Sequence, residues 1–463
     1  MNPTLRRCFS SGLTFLFLMA AGCATRSVIG QQTGQGGTTS TGGMTGSGTG
    51  GFQGGDGGFR GTGGVFGTGG STVVDGGQSC PPSGSSSGTN LSFGPAVEYL
   101  THANSFLAAL GDLNGDGKPD LAVVNYSTHS SLGGAGGSSG TGGSGTGGSP
   151  GTSPGSLGVF LSATTGYGAA QFYNVGLIPV SVVAGDLNGD AKADLAIVTA
   201  EGVSVLFNDG SGKLLSPVSF ATGTGPTWVA LGDLNGDGKA DLAVTNHGSS
   251  NGNELVGGDV AVLLNMGGGT FVAANYPAGA SPEAAAIADL NGDGNADLAV
   301  ASGTGVSVLL NNGNGTFGTP ASYGSGTNPF SIAAGDLNGD GKIDLAVGGR
   351  AGRASVLLNL GNGTFAAAVN YSYEGSYSLG PVAIGDLNGD GRPDLAGSAY
   401  FDSCSAVAVL LNQGSGVFGA PSYIPGIPGA PASVTLGDLN GDGKLDLVVP
   451  NGDGVAALLS SAP

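Results

Sequence analysis

One nine-residue phrase, D-L-N-G-D-G-x-x-D with a single departure, occurs seven times in this chain of 463 residues. It begins at Asp112, Asp186, Asp233, Asp289, Asp336, Asp386 and Asp438. The starts are 74, 47, 56, 47, 50 and 52 residues apart. Such a repeat constrains the fold strongly, because each unit must bury its apolar face against a copy of itself. The long first interval holds a Gly/Ser-rich insert over 127–156, so the underlying period is about 50 residues.

Each phrase runs into an apolar segment such as Asp344-Leu-Ala-Val347. A second apolar segment of near-constant form follows, as in Val203–Asn208, Val306–Asn311 and Val407–Asn412. Then come a Gly-rich turn (Asn312–Gly315), the segment Thr316–Tyr323, and an apolar run (Phe330–Gly335) into the next phrase. That is four strands per unit, punctuated by turn residues. The strands are apolar on both faces, as in sheets sandwiched between neighbours. The predicted fold is all-β: a seven-bladed β-propeller of four-stranded blades over residues 91–463. The last unit stops after Val455–Leu459 with no outer strand. Ser92–Tyr99 supplies one, with Phe93 and Tyr99 spaced like Phe317 and Tyr323. This N-terminal strand is expected to complete the seventh blade, since a ring left open exposes an unpaired edge.

Seven phrases in register resemble the FG-GAP or VCBS repeat family, whose best-known relatives are the integrin α-subunit propellers. The resemblance covers residues 91–463.

Each phrase places side-chain oxygens at positions 1, 3, 5 and 9, and the resemblance adds the main-chain carbonyl of position 7. The candidate metal ligands of the first loop are therefore Asp112, Asn114, Asp116, Lys118 and Asp120. Those of the second are Asp186, Asn188, Asp190, Lys192 and Asp194, and of the third Asp233, Asn235, Asp237, Lys239 and Asp241. The fourth has Asp289, Asn291, Asp293, Asn295 and Asp297, and the fifth Asp336, Asn338, Asp340, Lys342 and Asp344. The sixth has Asp386, Asn388, Asp390, Arg392 and Asp394, and the seventh Asp438, Asn440, Asp442, Lys444 and Asp446. Hard oxygen donors in a short turn suit Ca²⁺, up to seven ions in all. The loops hold 21 of the 32 acidic residues and six of the 13 basic ones, so they carry −15 of the net −19. Asn-Gly and Asp-Gly are ordinary hairpin-turn dipeptides, which explains the glycines but not the Asp at positions 1 and 9. Gly at position 6 permits positive φ. Ala191 stands there in the second loop, at a cost of about 1 kcal/mol if that conformation is required.

The N-terminus reads as an address. Arg6 and Arg7 precede a short apolar run, Leu13–Ala21, too short to span a bilayer. Residues 1–22 are expected to be a signal peptide. Ala20-Ala21-Gly22-Cys23 resembles a bacterial lipobox with Cys23 as the lipidated residue, although Ala20 stands where that motif usually has Leu. The expected location is an outer-membrane lipoprotein or the cell surface, with the lipid anchor as the only membrane contact. Residues 23–90 are rich in Gly, Ser and Thr and are expected to be a disordered tether reaching about 45 Å. The insert 127–156 has the same character. Cys80 and Cys404 remain after Cys8 and Cys23 are accounted for, and an exported protein permits their pairing.

A net charge of −19 excludes a nucleic-acid binder, which would meet phosphate with the wrong sign. No nucleophile–base pair, HExxH or phosphate-binding loop stands out, so the chain reads as a calcium-binding adhesion or binding module and not an enzyme. Its partner is expected to be a protein or glycan, met by a monomer. A polysaccharide-active enzyme, a lectin-like domain and a purely structural scaffold are the alternatives. Length variation between repeats falls on the loops opposite the calcium hairpins, and binding sites favour variable loops on a rigid scaffold. Trp228, His247, Arg350 and Arg353 are the partner-binding candidates there. His102, His129 and His247 are all expected in loops of that face.

Overall fold

The computed structural model describes residues 91–461, except 127–153, 251–254, 257, 304, 327–328, 350–351, 373–379 and 402–403. The expected signal peptide, Cys23, the tether, Cys80, His129, Arg350 and all but the last three residues of the insert lie outside the described residues.

Every described element is a β-strand, and all pairings are antiparallel. Five sheets have four strands each. A sixth, of seven strands, is two blades joined by one strand. That shared strand, Val97–Gly111, does two jobs. Val97–Leu100 pair with Gly454–Ala457 as the outer strand of blade seven. Asn104–Gly111 pair with Asp120–Tyr126 as the inner strand of blade one. Pairing extends upstream through a bridge between Phe93 and Ser460 and a bond from Gly94 N to Leu459 O. The closing strand foreseen at Ser92–Tyr99 is thus continuous with the next blade's inner strand, so the seam is covered by unbroken backbone.

The inner strands are the second half of Val97–Gly111, then Ser181–Gly185, Pro226–Gly232, Pro282–Ala288, Pro329–Gly335, Ala383–Gly385 and Thr435–Gly437. Each touches the next, and the last touches the first, which closes the ring. The core is divided the same way, into seven apolar clusters with one at every interface between blades. Second strands such as Asp194–Thr199 and Asp297–Ser302 are buried along their whole length, as sheets covered on both faces require. Glycine ends most inner strands because the blades crowd there: a Cβ on Gly185 would lie 2.5 Å from the Leu231 side chain.

Two local readings change. The third strand of blade one is Pro154–Phe160, so residues 154–156, counted above as the end of a disordered insert, are ordered strand. His102 lies within the shared strand Val97–Gly111, not in a loop.

Candidate functional site: the acidic hairpins and the opposite face

The hairpin between the first and second strands of each blade folds around its own carboxylates. In blade four, Asp289 Oδ1 accepts the N–H groups of Gly292 and Asp293 at 2.7 and 3.2 Å, and its Oδ2 accepts that of Gly294 at 2.8 Å. Asn291 Oδ1 accepts the N–H of Asp293, and Asp293 Oδ1 that of Asn295, each at 2.8 Å. Such side chain-to-backbone bonds are the local turns that Asp and Asn favour. They require left-handed backbone at position 6, met by Gly294 at φ 87° and by Ala191 at φ 64° in blade two. Ala191 therefore holds the conformation that its six counterparts leave to glycine, and it bears the strain.

Position 9 differs from the others. It opens the second strand and is fully buried in all seven blades. Asp297 Oδ2 accepts the N–H of Leu290 at 2.9 Å, and Oδ1 accepts the N–H of Asn311, at the end of the third strand, at 2.7 Å. Burial pushes Asp194, Asp297, Asp344 and Asp394 up to about 6, against these hydrogen bonds, and the acidic residues at positions 1 and 5 add to the rise. Asp120, Asp241 and Asp446 are raised for the same leading reason. Among the described ion pairs none reaches these buried carboxylates, whose charged form a nearby cation would favour. In blades three, five and six the basic side chain at position 7 reaches back to position 5: Lys239 Nζ and Lys342 Nζ lie 2.6 Å from Asp237 and Asp340, and Arg392 binds Asp390. It compensates the exposed carboxylate and leaves the buried one alone.

The donor set suits a hard cation. A carboxylate offers about four acceptor sites; Asp289 uses three and Asp297 two. Among the described residues no three His, Cys, Asp or Glu side chains converge closely enough to hold a metal by themselves. A cation here needs asparagine and main-chain oxygens as well as carboxylates, which is the mixed oxygen set calcium takes.

The asparagine ending the third strand was visible in the sequence only as a recurring letter. Asn311 is buried, and its Nδ2 donates to Leu234 O of the preceding blade at 2.6 Å and to Ala296 O of its own at 2.7 Å. Its Oδ1 accepts the N–H of Gly313 in the Gly-rich turn at 2.9 Å. These bonds place the acidic hairpins and the Gly-rich turns on one face.

FG-GAP-like repeat sequences match residues 186–244, 289–347, 336–397 and 398–449, and the FG-GAP repeat matches 105–146. The chain belongs to the FG-GAP repeat family. No curated protein matches it. Among solved structures, this FG-GAP chain is similar to BBS1N in complex with ARL6DN, at 13% identity over 80% of this chain and 97% of that one, with a TM-score of 0.51. YCF48 bound to D1 peptide matches at 12% identity over 79% and 94%, TM-score 0.47. An Agrocybe aegerita lectin that recognises non-reducing terminal N-acetylglucosamine matches at 21% identity over 71% and 81%, TM-score 0.46. The likeness to BBS1N is one of fold.

On the opposite face of the FG-GAP propeller, Trp228 sits half-buried in the inner strand of blade three. It packs against the cluster between blades one and two and the cluster between blades four and five, neither of which borders its own blade. An inner-strand side chain reaches both only across the axis, so the Trp228 indole lies at the axial channel. His247 follows the second strand of the same blade, and its Nε2 lies 3.6 Å from Glu283 Oε1 on the inner strand of blade four. Glu283 escaped the sequence reading. It sits at a β-bulge, where the register shifts between Pro282 and Ala284, and bulges re-aim side chains. Comparable shifts occur at Phe106, Thr227 and Phe330, at matching places in blades one, three and five. Arg353 begins the third strand of blade five, exposed and paired with Ser372, and no described contact joins it to the Trp228 group.

Proposed function

We propose that this FG-GAP propeller is a calcium-stiffened binding module, exported and lipid-anchored through Cys23 at the bacterial outer membrane or cell surface. It binds a protein or glycan and carries out no chemistry on it. The observation that carries the reading is the contrast between the two faces. One face repeats the same hydrogen-bonded hairpin in every blade and locks blade to blade, so it is architecture. The other differs from blade to blade and carries Trp228 at the axis, the His247–Glu283 pair, and Arg353 further out.

In each loop the ligands are the side chains at positions 1, 3, 5 and 9 and the carbonyl at position 7, from Asp112 to Asp446. Bound calcium supplies the positive charge that the buried position-9 carboxylates lack. It thereby fixes the hairpins and, through them, the spacing of the blades.

The test is binding of the full chain to glycan and protein arrays with and without calcium. His247→Ala and Arg353→Ala are compared with the unaltered chain. The expected result is calcium-dependent capture of one ligand class, weakened about tenfold by these changes (about 1.4 kcal/mol) at unchanged melting temperature. Capture that survives both changes, and is lost only on altering hairpin residues at unchanged stability, places the partner on the other face and overturns this reading.

A further inference from the structure

The hairpins do not stand alone around the ring. The third strands of blades two to six end in Asn208, Asn265, Asn311, Asn359 and Asn412, all buried. The main-chain N–H of each donates to Oδ1 of its own blade's position-9 aspartate, at 2.8, 2.6, 2.7, 2.7 and 2.8 Å. The Nδ2 of each donates backwards to the position-2 carbonyl of the preceding blade. The acceptors are Leu113, Leu187, Leu234, Leu290 and Leu337, at 2.6, 3.0, 2.6, 2.8 and 2.8 Å. The N–H of each of these leucines in turn donates to Oδ2 of its own blade's aspartate. The bonds run end to end, from aspartate to leucine to asparagine to aspartate, from the hairpin of blade one to that of blade six.

Ser162 and Ser460 occupy the asparagine place in blades one and seven. Their N–H groups still reach Asp120 and Asp446, at 2.6 and 2.7 Å. Neither serine side chain offers an amide, so the asparagine relay itself is confined to blades one to six. Between blades seven and one the shared strand Val97–Gly111 stands in as a covalent tie.

We propose that the five asparagines are positioning residues that couple the cation loops of blades one to six into one unit. The inference rests on the calcium reading above. The physical reason is burial. Water cannot replace these bonds at low cost, so a loop that closes on a cation moves its aspartate and leucine together, and the asparagine passes that movement to the next loop. Two sites that bias one another's geometry bind with a reciprocal coupling, commonly fivefold or more in affinity.

The test is calcium binding to the full chain, measured by competition with a chelating dye, alongside melting temperature. Asn311→Ser installs the residue that the protein itself carries in blades one and seven. The unaltered chain is expected to show a steep phase. Asn311→Ser should flatten the steep phase and weaken it about fivefold or more. Asn265→Ser, the same exchange one blade earlier, should do the same and serves if Asn311→Ser does not fold. Isotherms of both variants that superpose on the original overturn the coupling, even where Asn311→Ser melts lower, because the asparagines are then only braces. An unaltered chain that takes up no calcium refutes the calcium reading instead, and the coupling with it.

Discussion

Acidifying the calcium-free protein should make it more stable. Asp194, Asp297, Asp344 and Asp394 are raised to about 6 from an ordinary 3.8, with burial as the leading cause. A raised native-state pKa means that the folded chain holds the proton more tightly than the unfolded one. The resulting stabilisation is complete below about pH 4, is lost as pH rises through about 6, and is absent above that. Each pH unit of difference is worth about 1.4 kcal/mol, so a carboxylate displaced by about two units contributes on the order of 3 kcal/mol. Even half of that at these sites is comparable with the roughly 5–15 kcal/mol that holds a typical domain together. The exposed Asp237, Asp293 and Asp340 are lowered by hydrogen bonds, so their opposite effect acts only as pH falls below the ordinary carboxylate range. The window from about pH 4 to about pH 6 therefore reports the buried set. Thermal unfolding followed by circular dichroism in calcium-free buffer should give a melting temperature that falls from about pH 4.5 to about pH 7. Saturating calcium should abolish or reverse the slope, because the cation stabilises the charged form. A calcium-free melting temperature that is flat or rises across this window refutes the reasoning.

Other expectations follow from single positions. Ala191→Gly should raise denaturant stability by about 1 kcal/mol by relieving the left-handed alanine, and Gly238→Ala should lower it by a similar amount, since nothing lies within 4 Å of an added Cβ there. No change in either refutes the strain argument. Removing residues 91–100 should strip blade seven of its outer strand and promote aggregation, whereas removing 24–85 should not; light scattering that treats the two alike refutes the closure argument. Trp228→Ala should cost roughly 1–3 kcal/mol in unfolding free energy as the half-buried indole loses its packing against two clusters, and a loss below about 0.5 kcal/mol means the indole is a surface group.

The ring and its seam were legible in the sequence because both are written in order along the chain. The phrase recurs in register, and Phe93 with Tyr99 copies the spacing of Phe317 with Tyr323. Ala191 was legible too, since an alanine among six glycines advertises a positive φ. The part of the hairpins that reading could not give is the division of labour among their acids. Asp289 and Asp297 look equivalent as letters, yet one folds the loop at the surface and the other is buried between Leu290 N and Asn311 N. The asparagine latch escaped for a related reason. Asn311 recurs visibly, but its partner Leu234 O belongs to the preceding repeat, 77 residues away, and a main-chain carbonyl leaves no trace in residue identity. Glu283 was hidden because a bulge, not a periodicity, turns it towards His247. Trp228 was read as a partner-binding candidate near the axis, and what the closed ring adds is its packing against two clusters that do not border its own blade.

Counting bound calcium tests the account most directly. Equilibrium dialysis of the full chain at saturating calcium, with the metal measured by elemental analysis, should give several ions per chain and at most seven. The chelated protein should melt well below the loaded one, since each filled site adds about 2.7 kcal/mol at a hundredfold excess over its Kd. A chain that retains no calcium and melts at the same temperature with and without it contradicts the account, because the seven hairpins are then hydrogen-bonded turns and nothing more.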